Sequence, residues 1–371
     1  MILKGCTFFN EGFEKEYGDI KIENGRISAI GFFPEEGRDM SGKIILPGFV
    51  DIHIHGAFGG DTGDNSAESL NKMSAYLAKN GVTSFCPTTM SRPVDELVKT
   101  AELIASYNYV GGAKIAGINF EGPFISKEKC GSQNSEYITK GDCASFERLY
   151  SASNGMMKII TVAPEAFDSD EFIKTAAQKC TVAIGHTNAV SAQCKRAFLN
   201  GASHVTHLYN AMSQMTAREP GAVGAALDSD VSCELICDGF HISPEVLRNT
   251  FKILGESRAV AVSDSMRASG LKAGEYELGG QRVFVNENGG VARLENGTIA
   301  ASITNLFEEF KNLISFGIDF KTALKACTIN PARVIKEDKS IGSIALGKAA
   351  DFTVVDESLE FKEVYINGTL A

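Results

Sequence analysis

No apolar stretch in this chain reaches the ~18 residues of a membrane span. The start, MILKGCTFFNEGFEK, lacks a basic segment followed by an apolar run, so no secretory signal is expected. There is no C-x-x-C pair, and the cysteine count is odd at nine, which points to reduced thiols in a cytoplasm. Cations are in the minority: 36 Lys and Arg against 46 Asp and Glu, a net charge of −10. That balance argues against a nucleic-acid or anionic-membrane surface, and an anionic substrate would have to be held by local groups. Repeats and low-complexity tracts are absent. So is a Gly-rich first turn of the dinucleotide-binding kind.

What is present begins with Pro47-Gly48-Phe49-Val50-Asp51-Ile52-His53-Ile54-His55-Gly56. It reads as a strand closed by a glycine. Strict alternation would put Asp51, His53 and His55 on one face and Val50, Ile52 and Ile54 on the other. Two imidazoles at a strand end form half of a metal site, although a bare H-x-H is as readily a pair of solvated histidines.

The 371 residues suggest one large domain and a small one. Asn24-Gly25 sits between alternating runs and signals a hairpin. The C-terminal end, Asp351–Val355 and Glu363–Gly368, has the same β character. Residues 1–47 and 338–371 are therefore expected to pair into one small β-sandwich. Between them, over 48–337, eight apolar runs alternate with helical stretches: Phe49–His55, Val82–Thr89, Lys114–Gly122, Lys158–Glu165, Thr181–Thr187, His204–Asn210, Cys233–Gly239 and Ala259–Ser265. The clearest helices are Glu68–Lys79, Val94–Ser106, Asp168–Lys179, Ser191–Asn200 and Pro244–Leu254. This alternation predicts a (β/α)8 barrel, with a doubly wound open sheet as the alternative. Gly- and Asn-rich residues near 274–302 read as an insertion after strand 8, followed by closing helices over Thr304–Phe316 and Phe320–Asn330.

The chain has only six histidines. His53, His55, His186 and His207 fall at the ends of these runs, and His241 lies just beyond one. His204, at the start of a run, is left over as a structural or surface residue. Glu121 ends the third run and Asp264 the eighth. Barrel active sites form at the C-terminal ends of the strands. Histidines plus a carboxylate there suit metal-assisted hydrolysis: an ion with an open position lowers the pKa of its water towards ~7 and polarises a carbonyl. A nearby carboxylate, Asp264, could take the water's proton and pass it to a leaving amine.

PGFVDIHIHG, CPTTM, NFEGPF, TVAPE, AIGHTNA, VTHLYNAM, REPGAVGAAL, CDGFHI, AVSDSM and INPARV run in order along the chain, with GSIALGKAADFTVVD near its end. Together they resemble the N-acetylglucosamine-6-phosphate deacetylases of the amidohydrolase superfamily. The resemblance implies a barrel with a composite β-domain, a homodimer, and a phosphorylated amino sugar as substrate. It implies one or two divalent ions, zinc or iron, with Glu121, His186 and His207 as main ligands and His53 and His55 leaving room for a second ion. It implies Asp264 as acid/base. Substrate contacts would come from Asn210, Ala211, Arg218 and His241, from Ser132 and Gln133, and from the backbone of Ile299, Ala300 and Ala301. Many members carry a His where this chain has Gln133, which can donate a hydrogen bond but cannot become a cation. Three other readings stay open: the same reaction on the galacto epimer, a cyclic-amide hydrolase, and a metal-free binding scaffold. Cyclic-amide relatives usually bridge two ions with a modified Lys at strand 4, where this chain has Ala163-Pro164-Glu165.

Overall fold

The computed structural model describes residues 1–108, 111–167, 169–287 and 290–371. All eight apolar runs form strands: Phe49–Ile54, Val82–Thr89, Ile118–Glu121 (with the short Lys114–Ile115 before it), Met157–Val162, Thr181–Ile184, His204–Val205, Ser232–Ile236 and Ala259–Val262. They pair in parallel, each with the next, from the first through the eighth. The first and eighth meet without a ladder among the described residues. Instead, the Asp264 N–H donates to the His53 carbonyl at 2.9 Å, and the Asp51 carboxylate accepts from the Ser263 N–H at 3.3 Å. The result is a (β/α)8 barrel.

Two cores follow from strand alternation. Residues facing out, such as Phe85, Phe120, Val162, Val182, Val205 and Leu235, pack under the helices with Leu70, Met73, Leu77, Leu97, Phe251 and Phe310. Leu70, Met73 and Leu77 recur at helical spacing along Ala67–Lys79, which is why that helix lies on the barrel. Val50, Ile52, Ile159, Ala183, Ile236, Val260 and Val262 come from opposite sides of the barrel and meet in its interior. Ala332, Val334, Ile335 and Ile341 join the same cluster, after the strands and helices have closed the ring. Helix Glu171–Ala177 lies inside the expected Asp168–Lys179; Asp168 itself is outside the described residues.

The expected strict alternation fails in the first strand. Its register against the second shifts between Asp51 and Ile54. Val50 and Ile52 face the barrel interior, yet Ile54 packs with the helices beside Phe49. A bulge re-aims the side chains that follow it. His53 and His55 therefore turn inward together, and Asp51 is not with them. Its carboxylate stays with the His53 and Ser263 backbone amides.

The termini form one eight-stranded sheet, with strands from 2–47 and 352–370. It curls over Leu3, Phe8, Ile20, Ile45, Phe352 and Tyr365. Its Asn24-Gly25 hairpin has both residues at positive φ, 51° and 74°, as a two-residue hairpin turn requires. The insertion is a four-stranded antiparallel sheet from Gly274 to Ser302. Ser302 fastens it to the eighth strand, donating its N–H to the Asp264 carbonyl and accepting from the Met266 N–H. No described helix is long and apolar enough to cross a membrane.

Candidate active site

The third strand ends in Glu121, which is buried at the centre of the cluster. Its Oε1 lies 2.8 Å from His207 Nε2, 3.0 Å from His186 Nε2 and 3.5 Å from His53 Nε2. Its Oε2 lies 3.4 Å from His55 Nε2. Asp264, from the eighth strand, brings Oδ1 within 3.4 Å of His53 Nε2 and 3.2 Å of His55 Nε2. Two overlapping ligand sets result, His53, Glu121 and His207, and His53, His55 and Asp264. His186 joins the first through Glu121 and through His207, whose Nε2 is 3.1 Å from its own. The carboxylate expected to stand apart as acid/base thus also borders the second ligand set.

The backbone pays a conformational cost to aim these groups. His186, His207 and Asp264 have φ of 45°, 26° and 46°, and Tyr209 and Ala211 follow His207 at 79° and 49°. Non-glycine residues enter this region rarely, and such strain concentrates at functional sites. Before His186 stands Gly185, where a Cβ would lie 2.7 Å from Thr206 Cβ. Only glycine lets strands five and six approach this closely under the site.

The donor set suits a divalent ion. His186 Nδ1 donates to the Lys129 carbonyl at 2.9 Å, His55 Nδ1 to the Thr88 carbonyl at 3.2 Å, and His53 Nδ1 to the Glu234 carboxylate at 2.9 Å. Each bond places the ring proton on the outer nitrogen and leaves the Nε2 lone pair turned inward, the arrangement of metal-binding histidines. His53 Nε2 is buried with no hydrogen-bond partner. Burial opposes charge on His53, but Glu234, Glu121 and Asp264 outweigh it and raise its pKa to about 9, so these carboxylates favour a positive charge at Nε2, whether a proton or an ion in its place. Burial likewise opposes charge on Glu121, yet the surrounding imidazoles hold that carboxyl well below its usual range, and Asp264 is lowered in the same way. No Lys or Arg pairs with these carboxylates among the described residues, so positive charge must come from imidazoles or an ion.

The remaining expected residues divide. Gln133 is 2% exposed and spends both ends of its amide inside the protein: Nε2 donates to Glu121 Oε2 at 2.5 Å, and Oε1 accepts from the Ser91 N–H at 2.6 Å. It steadies the central carboxylate. Ser132 Oγ donates to the Ala300 carbonyl at 2.9 Å, so the Ser132–Gln133 loop is clasped to the Ile299–Ser302 strand of the insertion. The Ala211 carbonyl accepts from the Thr187 N–H, and the Asn210 amide donates to the carbonyls of its own turn, His207 and Leu208. His241 is half-buried, its Nδ1 held by Asp238 at 2.6 Å. Arg218 is exposed on the loop after the sixth strand, with no ion pair among the described residues.

Glu234 was missed. Its sequence signal is a single acidic residue in the middle of the apolar run Ser232-Cys-Glu-Leu-Ile236. His204, the surplus histidine, is fully buried and donates to Glu234 Oε1 at 3.1 Å, so it is structural and not on the surface.

The chain's residues 44–371 match the model of the Amidohydrolase family. The chain belongs to the Amidohydrolase family. It is 35% identical to the N-acetylglucosamine-6-phosphate deacetylase of Bacillus subtilis (strain 168), over 100% of this chain and 97% of that protein. It is 30% identical to the N-acetylgalactosamine-6-phosphate deacetylase of Escherichia coli O157:H7, over 95% and 94%. Among solved structures it is similar to a mutant Mycobacterium smegmatis N-acetyl-D-glucosamine-6-phosphate deacetylase in complex with N-acetyl-D-glucosamine-6-phosphate. That likeness has a TM-score of 0.91 at 28% identity, covering 100% and 98% of the two chains. Amidohydrolases are metal-dependent hydrolases, and among the described residues His53, His55, Glu121, His207 and Asp264 are grouped as possible ligands of an ion.

Proposed function

We propose that the protein hydrolyses the acetamide of N-acetyl-D-glucosamine 6-phosphate to D-glucosamine 6-phosphate and acetate, in the breakdown or recycling of amino sugars. The observation that carries the reading is the meeting of Glu121, His186 and His207 with Asp264 at the strand ends, in an amidohydrolase with full-length relatives of that name.

Glu121, His186 and His207 would hold one ion, zinc or iron, and His53 and His55 with a Glu121 oxygen a second. Bound there, a divalent ion lowers the pKa of water and polarises the acetyl carbonyl. Asp264 takes the proton of the attacking water as its oxygen bonds to the carbonyl carbon, then delivers that proton to the nitrogen as the C–N bond breaks. Gln133 keeps the Glu121 carboxylate in place throughout. His241 and the backbone of Ala211 and Ile299–Ala301 frame the sugar. The reading includes a homodimer, as the family resemblance implies, and a cytoplasmic setting, as nine cysteines without paired spacing suggest.

Acetate release tests the reading on N-acetylglucosamine 6-phosphate, its galacto epimer and unphosphorylated N-acetylglucosamine, with elemental analysis alongside. The gluco 6-phosphate should give the highest kcat/KM. A galacto preference would favour the activity named for the Escherichia coli relative. No acetate from either phosphorylated sugar removes the proposal.

Arg218 is assigned to the phosphate because its planar fork suits bidentate binding, and because it is exposed and has no ion pair among the described residues. Lysine keeps the charge and loses the fork. Arg218→Lys should therefore lose much of its kcat/KM on the 6-phosphate, with little change on the unphosphorylated sugar. Equal losses on both substrates would make Arg218 structural.

A further inference from the structure

Glu234 lies in the middle of the seventh strand with no solvent contact. A buried carboxylate is costly unless every oxygen is paired. Here the pairing is complete. Oε1 accepts from His204 Nε2 at 3.1 Å, and Oε2 accepts from His53 Nδ1 at 2.9 Å and from the His207 N–H at 3.1 Å. His204 is backed in turn by Ser232, whose Oγ lies 2.7 Å from His204 Nδ1.

Two of these three partners are residues that frame the ion position. Glu121 Oε1 approaches His53 and His207 from inside the cluster, at 3.5 and 2.8 Å from their Nε2 atoms. Glu234 approaches the same two residues from behind, one through its ring and one through its backbone. A carboxylate placed to fill a core would have no reason to choose this pair. A carboxylate that orients ligands would have to.

We infer that Glu234 is a positioning residue for the metal site. It fixes the ring plane of His53, keeps the ring proton on Nδ1, and so presents the Nε2 lone pair to the second ion. It also pins the strained His207 backbone, whose φ is 26°. Outer partners of this kind typically carry 10–100-fold of metal affinity. The inference rests on the two-ion reading of the site given above.

The test is a titration of the full chain, stripped with chelator, with zinc, followed calorimetrically, and with cobalt(II), followed by its visible absorption. Wild type should take two equivalents. Glu234→Gln keeps the size of the side chain but weakens its acceptor. It should bind the second equivalent ~10–100-fold more weakly, lose less affinity for the first because His207 is held only through its backbone N–H, and lose the cobalt absorption that accompanies the second. A Glu234→Gln protein that binds both equivalents as wild type does, whatever its melting temperature, overturns the inference. A wild type that takes a single equivalent removes the two-ion reading itself and is told apart from that result. If circular dichroism shows Glu234→Gln unfolded, His204→Gln is read in the same titration, since it frees Glu234 to swing away from His53. A weakened second equivalent supports the role, and unchanged affinities overturn it.

Discussion

Asp264→Asn should lower kcat by ~10²–10⁴, the range for a lost general acid/base. The backbone at 264 is clamped on both sides, with its N–H on the His53 carbonyl and its carbonyl accepting from Ser302. An amide side chain will therefore occupy the place of the carboxylate, 3.2–3.4 Å from the His55 and His53 rings. It has the same shape and cannot carry a proton between water and amine. Because Asp264 borders the His53–His55 set, the variant should also hold a second ion less well, while Glu121, His186 and His207 keep the first. Steady-state rates at saturating metal, measured beside metal content, separate the two effects. A kcat near wild type under those conditions would remove Asp264 from the acid/base role.

The other large effect is expected at Glu121. Every imidazole in the cluster lies within 3.5 Å of one of its oxygens. Glu121→Gln keeps the volume but removes the charge and turns an N–H₂ group towards imidazole lone pairs or towards the Gln133 amide. An ion contributes several kcal/mol to transition-state stabilisation, and each 1.36 kcal/mol is tenfold in rate. The variant should lose both ions on dialysis and run ~10³-fold or more below wild type, with partial recovery at millimolar metal. Full metal content after dialysis together with wild-type turnover would show that Glu121 is not the central ligand.

The barrel was legible because parallel strands covered on both faces read as apolar runs, and because this chain spaces eight of them with helical segments between. The clustering of His53, His55, His186 and His207 was legible through the scarcity of histidine: strand ends hold most of the six. What supports them was hidden. Glu234 looks like any acidic residue until His53, His204 and His207 are folded around it, and no local spacing connects positions 53 and 234. Gln133 was noticed as a substitution for histidine, but its grip on Glu121 and Ser91 depends on how a loop folds back. The inward turn of His53 beside Ile52 contradicts alternation, since a one-residue register shift is set by the pairing strand and not by the strand's own pattern.

The meeting of the first and eighth strands has a kinetic meaning. Asp51 and Ser263 are 212 residues apart in the chain, and the groups that must cooperate, His53, His55 and Asp264, sit on either side of that junction. Contacts this distant in sequence are slow to form, because the entropy of closing the loop is lost before the contact repays it. His53 and His55 reach Asp264 only when the chain between them has folded through all eight strands. During refolding, helical signal can return while the ring is still open, but catalysis has to wait until its two ends have joined.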